Sequence, residues 1–267
     1  MHQNIHRDIN MTNNNLFQFT FYSESKDTLI DQYIDRVIKS RSASQRLPAL
    51  IFTPNPEQVM LAQSDAEFAS VLQAADILIP DGVGLVIASR LLALCGKGSV
   101  IRERVSGIDL FQSIVERFPK TKSVIIGGRS GSSHVSEVTT LRVGERELPW
   151  LAAHEDVQFP TAKEEDAVVA FLKSEEPEVV FVAFGAPHQE YWSMRHRALL
   201  EKHGVRVVLV VGGAVDVLSG KLKRAPGLLR SLGLEWLFRL IQEPWRWKRQ
   251  LSLIRFIGLT LRTAVSD

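Results

Sequence analysis

The sequence has few of the residues that join a protein through covalent links or metal ions. It contains one cysteine, Cys95, which excludes an intrachain disulfide and an all-cysteine metal site and fits a reducing compartment. Cys95 follows an apolar run at residues 91–94, so we expect a buried, inert thiol there. The seven histidines are scattered and no Asp-x-Asp occurs, so we predict no metal site.

Long apolar runs and a secretion signal are lacking as well. The N-terminus is polar and rich in asparagine, and we expect a disordered tail over residues 1–20. No window reaches the roughly 18 apolar residues of a membrane-spanning helix. The closest window, residues 251–261, is short and interrupted by Arg255. We therefore expect a protein that can lie on a membrane surface without crossing it.

Positive charge is scarce in most of the chain and concentrated near its C-terminal end. Residues 221–262 hold ten Lys or Arg against two acids, a net +8, whereas the whole chain carries +2 and the remainder therefore −6. Three of the five tryptophans lie in the same stretch: Trp236, Trp245 and Trp247. Such a segment attracts phosphate, in a nucleotide, a nucleic acid or an anionic lipid surface, and tryptophan favours the interface of a membrane.

This segment is predicted to form a basic amphipathic appendage, residues 221–267, on a core of residues 21–220. Cations recur there at a spacing of seven residues, on one face of a helix, at Lys248, Arg255 and Arg262. Apolar residues occupy other faces of the same helix, which is the pattern of a helix that lies in a membrane interface.

The hydrophobic runs indicate the fold class. Residues 179–185 and 206–212 are continuous apolar runs, which is typical of parallel strands covered on both faces by helices. They alternate with the helix candidates 162–173 and 188–203. Further strands are expected at 49–53, 76–80 and 123–127, and further helices at 26–41, 83–94 and 107–118. We predict an α/β fold with a mostly parallel, Rossmann-like sheet flanked by helices and followed by the basic helical appendage.

Candidate functional residues follow the predicted strands, because ligands of open α/β sheets bind beyond the carboxyl ends of the strands. Asp81 could act as a general base or be the ordinary aspartate of a Pro-Asp-Gly turn. Asn55 could line a pocket or simply cap the next helix, and Thr53 could merely end its strand.

Two later strand ends offer further candidates. Gln189 has less structural reason for its place than Glu190, which the helix dipole favours in a first turn. Asp216 could bind a ligand or cap a helix. A glycine-rich turn at residues 127–131 could let backbone amides approach a phosphate, but it lacks the spacing of a dinucleotide fingerprint.

Taken together, these stretches resemble the WecG/TagA/CpsF family of bacterial glycosyltransferases (family 26). The motifs occur in family order between about residues 50 and 250, at 53–57, 80–84, 104–110, 185–190, 212–216, 224–226, 233–240 and 243–249. His188 departs from the lysine that many relatives have. The region 142–156 matches poorly.

The resemblance implies an inverting, metal-independent transfer of a sugar from a UDP-sugar to a sugar linked to polyprenyl diphosphate. Asp81 would be the general base that deprotonates the acceptor hydroxyl. Thr53, Asn55 and Gln189 would line the reaction pocket. The appendage would supply three arginines to the UDP diphosphate: Arg239, Arg246 and Arg249.

It further implies the partners and the location. No cofactor is expected besides the UDP-sugar donor, and no nucleic acid is expected as a partner. The enzyme would lie in the cytoplasm, peripherally on the inner face of the bacterial cytoplasmic membrane, and would serve cell-surface polysaccharide synthesis. N-acetylmannosamine, its uronic acid and glucose remain open as the sugar. A homo-oligomer remains open too, with self-association of the core competing with membrane docking.

Two other classes of protein remain in view. A non-catalytic membrane-surface module that binds anionic lipid or an assembly partner would need the basic appendage but neither Asp81 nor Gln189. An oxidoreductase with a nucleotide cofactor is disfavoured, because no early strand carries the glycine fingerprint.

Overall fold

The computed structural model describes residues 13–39, 47–128, 137–153 and 156–266. Nine strands among these residues form one sheet: β1 Asn13–Leu16, β2 Phe19–Tyr22, β3 Ala49–Phe52, β4 Ile77–Leu78, β5 Ser123–Ile126, β6 Val138–Val143, β7 Arg146–Leu151, β8 Val179–Val182 and β9 Val207–Val210. The strands lie in the order β1-β2-β4-β3-β9-β8-β5-β7-β6. The pairs β1/β2 and β6/β7 are antiparallel, and all other neighbours are parallel.

Helices cover both faces of this sheet. In chain order they are α1 Lys26–Thr28, α2 Asp35–Lys39, α3 Pro56–Ser64, α4 Ala66–Gln73, α5 Val83–Leu94, α6 Gly107–Arg117, α7 Ala162–Glu175, α8 His188–Arg195, α9 Arg197–Lys202, α10 Ala214–Leu218, α11 Gly227–Ser231, α12 Glu235–Gln242 and α13 Trp247–Val265. A π-helical stretch, Leu29–Ile34, joins α1 to α2, and a 3₁₀ turn, Pro244–Arg246, precedes α13. The predicted α/β class with a mostly parallel sheet is confirmed.

The central strands are buried on both faces, as their continuous apolar runs predicted. Along β9, Val208 and Val210 point into one hydrophobic core, and Val207 and Leu209 point into the other. The same alternation divides β3 and β8, because successive side chains of a strand point to opposite faces. Residues 188–203 form two helices instead of one, with the break at His196.

Two hairpins at the sheet edges were not predicted. Residues 13–22 form the antiparallel pair β1/β2, so the predicted disordered tail of residues 1–20 is wrong for residues 13–20; residues 1–12 lie outside the described residues. The second pair, β6/β7, turns at Gly144, whose φ of 60° is easy for glycine. Both hairpins cover outer edges of the parallel sheet.

Cys95 is exposed, which corrects the expectation of a buried thiol. It is the residue at which α5 ends, and its neighbour Leu94 is also largely exposed. The apolar run before it belongs to one helix, only one side of which faces the core. An apolar sequence run therefore did not predict burial at the end of this helix.

The C-terminal helices pack on the core at the edge of the sheet where parallel strands end. Helix α13 lies against α3 and α5, and Phe256 is buried within the core. Lys97 Nζ, beyond α5, donates to the carbonyl of Thr263 at 2.8 Å. An ion pair of 2.6 Å joins Arg224 to Asp109 of α6. The boundary at residue 221 between core and appendage remains a prediction.

Candidate active site

Three of the turns that follow parallel strands contact one another. After β3, the Thr53 hydroxyl donates to the carbonyl of Val210 in β9 at 3.3 Å. The Asp81 N–H, after β4, donates to the carbonyl of Pro54 at 3.1 Å. Neighbouring parallel strands end at one edge of a sheet, so these turns form a common surface.

Asp81 lies in this surface, between β4 and α5. The next residue, Gly82, has φ of +108°, a backbone conformation that a residue with a side chain rarely adopts, so the turn needs glycine. The Asp81 side chain is half-buried, so part of it remains accessible to a ligand. Such a carboxylate is free to take a proton from a ligand.

Burial raises the pKa of Asp81 from its ordinary value of 3.8 to about 6. The positive charges of Arg104 and Arg239 lower this pKa, whereas the negative charges of Glu235 and Asp109 raise it. Arg104 and Glu235 also pair with each other at 3.3 Å, which ties α12 to this part of the core. Asp81 is therefore largely ionised at neutral pH but basic enough to accept a proton.

Asn55 caps helix α3. Its side-chain oxygen accepts the N–H of Gln58 at 3.1 Å, while the Gln58 side-chain oxygen accepts the N–H of Asn55 at 3.1 Å. This reciprocal pair is a capping box. The capping interpretation of Asn55 is therefore confirmed, and the cap leaves its amide nitrogen without a hydrogen-bond partner among the described residues.

Gln189 is buried and connects the start of α8 to the turn after β9. Its side-chain oxygen accepts the N–H of Gly212, after β9, at 3.0 Å, and its amide nitrogen donates to Glu190 Oε1 at 2.9 Å. The preceding His188 begins α8 with a buried Nδ1 that has no partner among the described residues. Gln189 thus lies at the same sheet edge as Thr53 and Asp81.

Glu190 is fully buried. The sequence analysis explained this residue by the helix dipole alone, which does not require burial. Its Oε1 also accepts from Gln58 Nε2 at 2.8 Å. Burial raises the pKa of Glu190 to about 7, although the hydrogen bonds from Gln189 and Gln58 lower it. Gln58 and Glu190 are 132 residues apart in the chain, so no local sequence pattern indicates this contact.

The three candidate arginines of the C-terminal segment come together. Glu243 Oε2 pairs with Arg239 Nε at 2.9 Å and with Arg246 Nη1 at 3.3 Å. Arg249 Nε pairs with Glu57 Oε1, in the first turn of α3, at 3.1 Å. Burial, followed by the charges of Arg239 and Arg249, lowers the pKa of Arg246. Three guanidinium groups thus share two carboxylates beside the Asn55 cap.

Arg239 also joins this cluster to the sheet edge. Its guanidinium lies directly against Gly213, in the turn after β9, where any Cβ atom would overlap both terminal nitrogens. Gly213 adjoins Gly212, which is the partner of Gln189. The structure therefore brings all seven predicted site residues to one end of the sheet: Thr53, Asn55, Asp81, Gln189, Arg239, Arg246 and Arg249.

Other sequence candidates lie elsewhere or outside the described residues. Asp216 is within the first turn of α10, and the residue at the cap is Gly213, so Asp216 does not cap the helix. Arg129 and the rest of the glycine-rich turn beyond Gly128 are outside the described residues. Over the ranges that the structure describes, no three His, Cys, Asp or Glu side chains gather as metal ligands. In the same ranges, no helix has both the length and the apolar content needed to span a membrane.

A basic, partly buried carboxylate near clustered arginines, at the carboxyl edge of a parallel sheet, defines the class: an α/β enzyme that acts on an anionic ligand. Residues 16–267 match the model of the Glycosyl transferase WecG/TagA/CpsF family, and the chain belongs to this family of glycosyltransferases. The resemblance inferred from the motifs is thereby confirmed.

Two relatives are called N-acetylglucosaminyldiphosphoundecaprenol N-acetyl-beta-D-mannosaminyltransferase. The protein from Bacillus spizizenii is 34% identical over 221 residues, which cover 82% of this chain and 80% of the relative. The protein from Bacillus subtilis is 32% identical over 255 residues, which cover 96% of this chain and 90% of the relative. Because the chain belongs to a family of glycosyltransferases, the alternatives of a non-catalytic membrane-surface module and of an oxidoreductase are set aside.

We predict that Gly213→Ala impairs sugar transfer by displacing Arg239. The backbone of Gly213, at φ −79°, accommodates alanine, so the effect would come from the overlap with the guanidinium. A lost hydrogen bond to a charged group costs about 1.5–3 kcal/mol, so kcat/KM should fall roughly 10- to 100-fold. Steady-state kinetics would measure this loss.

Gly258→Ala is the matched control, because a Cβ atom at Gly258 meets nothing within 4 Å. It replaces a glycine inside α13 and should leave transfer unchanged. Wild-type kinetics for Gly213→Ala would show that the position of Arg239 is irrelevant to the reaction.

Proposed function

We propose that this chain transfers a sugar from a UDP-sugar to a sugar linked to polyprenyl diphosphate, by a single inverting displacement that needs no divalent metal. The observation that carries this proposal is the place of Arg239. Its guanidinium connects the arginine cluster to the sheet edge and lowers the pKa of Asp81. One site thereby combines a base and a group of cations.

Asp81 is the proposed general base. Its carboxylate takes the proton of the acceptor hydroxyl while that oxygen attacks the anomeric carbon of the donor. A carbon–oxygen bond forms to the acceptor as the bond to the UDP oxygen breaks, and the configuration at the anomeric carbon inverts. The pKa of about 6 supports this role, since the group is ionised at neutral pH and still basic.

The arginine cluster is proposed to take the charge of the departing UDP. The diphosphate leaves as an anion, and in a metal-free reaction side chains must stabilise that charge. Arg239, Arg246 and Arg249 present several N–H donors, and guanidinium groups bind phosphate with paired hydrogen bonds. Glu243 and Glu57 hold these arginines together until phosphate arrives.

Thr53, Asn55 and Gln189 are proposed to line the pocket between base and cations. The Asn55 amide nitrogen, which the capping box leaves unused, would donate to the sugar. The printed names of the two relatives favour N-acetylmannosamine among the three sugars and an N-acetylglucosaminyl diphosphoundecaprenol acceptor. The β product in those names is what one displacement on an α-linked donor gives.

The enzyme is proposed to work peripherally on the inner face of the bacterial cytoplasmic membrane. Apolar residues of the C-terminal helices face outward beside the cations. The most exposed of them are Leu228, Ile241, Trp245, Ile254 and Val265. A large apolar surface among cations suits the headgroup region of an anionic membrane. This placement would bring a lipid-linked acceptor to the sheet edge where Asp81 lies.

The direct test of the function is UDP release from single UDP-sugars in the presence of a short-chain lipid-diphosphate N-acetylglucosamine. UDP-N-acetylmannosamine should support turnover, the product should carry an inverted linkage by NMR, and excess EDTA should leave the rate unchanged. A rate that EDTA abolishes and Mg²⁺ or Mn²⁺ restores would mean that a metal carries the diphosphate charge.

Asp81→Asn should reduce turnover by roughly two to four orders of magnitude, the usual contribution of a general base. Wild-type kcat/KM should rise with pH along a limb centred near pH 6, because only the ionised form of Asp81 accepts a proton. The variant should lose this limb. Near-normal turnover would remove Asp81 from the role of base.

Stability supplies the control for this variant. The pKa of Asp81 is higher in the folded chain than the ordinary 3.8, so the folded state binds more protons between pH 3.8 and about 6. Stability therefore falls as pH rises through this window, and the ionised carboxylate costs stability at pH 7. Asp81→Asn removes that cost, so its Tm at pH 7 should equal or exceed that of wild type.

Membrane binding and charge stabilisation should separate in point variants of the C-terminal segment. Ile254→Ser with Ile257→Ser removes two exposed side chains, each worth about 1.5–3 kcal/mol when buried, so sedimentation with anionic liposomes should weaken at least about tenfold. Transfer to a water-soluble acceptor should persist. Arg246→Ala should instead retain liposome binding and reduce sugar transfer. Loss of both activities in both variants would contradict the division of roles.

A further inference from the structure

One carboxylate oxygen links two of the turns that surround the proposed pocket, those after β3 and β9, to the start of helix α8. Glu190 Oε1 accepts hydrogen bonds from Gln58 Nε2 at 2.8 Å and from Gln189 Nε2 at 2.9 Å. Each glutamine uses its other side-chain atom on the backbone of a different turn: the N–H of Asn55 after β3, and the N–H of Gly212 after β9. Glu190 itself lies in the first turn of helix α8, which follows β8.

The donors and acceptors in this network have only one consistent assignment. Backbone N–H groups can only donate, so the atom that faces Asn55 N–H in Gln58 and Gly212 N–H in Gln189 must be the amide oxygen. The amide nitrogens then point to Glu190, whose Oε1 must accept from both. A side chain without an acceptor at position 190 would leave two buried N–H groups unpaired.

We propose that Glu190 is a positioning residue for sugar transfer, which acts through Gln58 and Gln189 to hold Asn55, Gln189 and the turn after β9 in the geometry of the reaction. The inference rests on the proposed function, because that function makes Asn55 and Gln189 the lining of the pocket. It goes further in assigning a role to a residue that touches no substrate.

Burial shifts Glu190 toward the neutral acid, and the hydrogen bonds to its side chain oppose that shift. The side chain is fully buried, and Oε2 has no hydrogen-bond partner among the described residues. Burial raises the pKa of Glu190 to about 7, and its hydrogen-bond partners there are the two glutamines and its own backbone N–H, all uncharged. Tyr191, the next residue, donates its phenol to Asp65 at 3.4 Å, and the charge of Glu190 is a minor cause of the raised pKa of Tyr191, after burial and the nearby acids Asp65 and Glu67.

Two substitutions separate the hydrogen-bond acceptor from the carboxyl group. Glu190→Gln keeps one oxygen for both amides and cannot ionise, so kcat should stay within about twofold of wild type. Glu190→Leu removes the acceptor and lets both glutamines move, and a displacement of about 1 Å can cost roughly 100-fold in rate. We expect that loss in kcat, with KM for the UDP-sugar changed much less, because the arginines bind the diphosphate.

Glu164→Leu is the matched control. Glu164 is also buried and accepts from the backbone N–H of Thr161 in the capping box of α7, which shares no residue with the network around Glu190. Its substitution should lower Tm without changing kcat. If Glu190→Leu does not fold, Gln58→Leu removes the hydrogen bonds of Gln58 to the Asn55 N–H and to Glu190 while leaving that between Gln189 and Gly212. It should still lower kcat by at least roughly 10-fold, the value of one such hydrogen bond.

Hydrogen exchange tests the geometry without relying on transfer. In Glu190→Leu, the amides of Asn55 and Gly212 should exchange faster than in wild type, whereas in Glu190→Gln and Glu164→Leu they should not. If no UDP-sugar is a substrate of the wild type, the proposed function fails, and exchange still decides whether Glu190 holds the turns.

The pH dependence of Tm is a further readout. Between pH 4.5 and about 7, the folded wild type binds the extra proton of Glu190, so its stability should fall with rising pH relative to Glu190→Gln. A folded Glu190→Leu with wild-type kcat and exchange would overturn the proposal. Equal loss of kcat in Glu190→Gln and Glu190→Leu would also overturn it, because the carboxyl group itself would then act in the reaction.

Discussion

Three like charges held together at the end of a parallel sheet are the constraint on which the rest of the site depends. Arg239, Arg246 and Arg249 repel one another, and burial makes the charge of Arg246 still less favourable. Glu243 and Glu57 offset this cost with ion pairs in the free protein. Two carboxylates for three guanidinium groups leave a net positive charge, which favours an anionic ligand at this place.

The same cluster explains features that lie outside it. The turn after β9 needs a glycine at position 213 because the Arg239 guanidinium occupies the space of a side chain. Helix α13 must dock firmly if its first turns are to place arginines, and Phe256 provides that anchor in the core. Its neighbours Ile254 and Ile257 remain exposed, so one side of α13 packs against the core and another side forms an outer surface.

Much of the site could be predicted because parallel strands share one edge. The strands predicted at 76–80 and 179–185 correspond to β4 and β8, and Asp81 and Gln189 were site candidates because they follow these strands. The Asn-Pro-Glu sequence located the helix cap at Asn55 because a capping side chain and a proline in the first turn are local signals. Such inferences succeed where the determining interactions are local or follow from sheet topology.

Interactions between distant residues were not predictable from the sequence in this way. The contact between Arg249 and Glu57, and the buried network around Glu190, arise from packing of helices far apart in the chain. The hairpin at residues 13–22 was hidden by its polar, asparagine-rich start, although Phe19 and Phe21 alternate as they do in a strand with one buried face. Gly144, between β6 and β7, is a local signal of a hairpin turn, but both strands beside it contain polar residues and form no continuous apolar run. A crystal structure of the chain with UDP would decide whether the arginine cluster binds the diphosphate. Diphosphate oxygens should lie within hydrogen-bond distance of Arg246 and Arg249, in place of their glutamate partners. A diphosphate bound elsewhere, with both arginines still paired to glutamate, would contradict this role of the cluster.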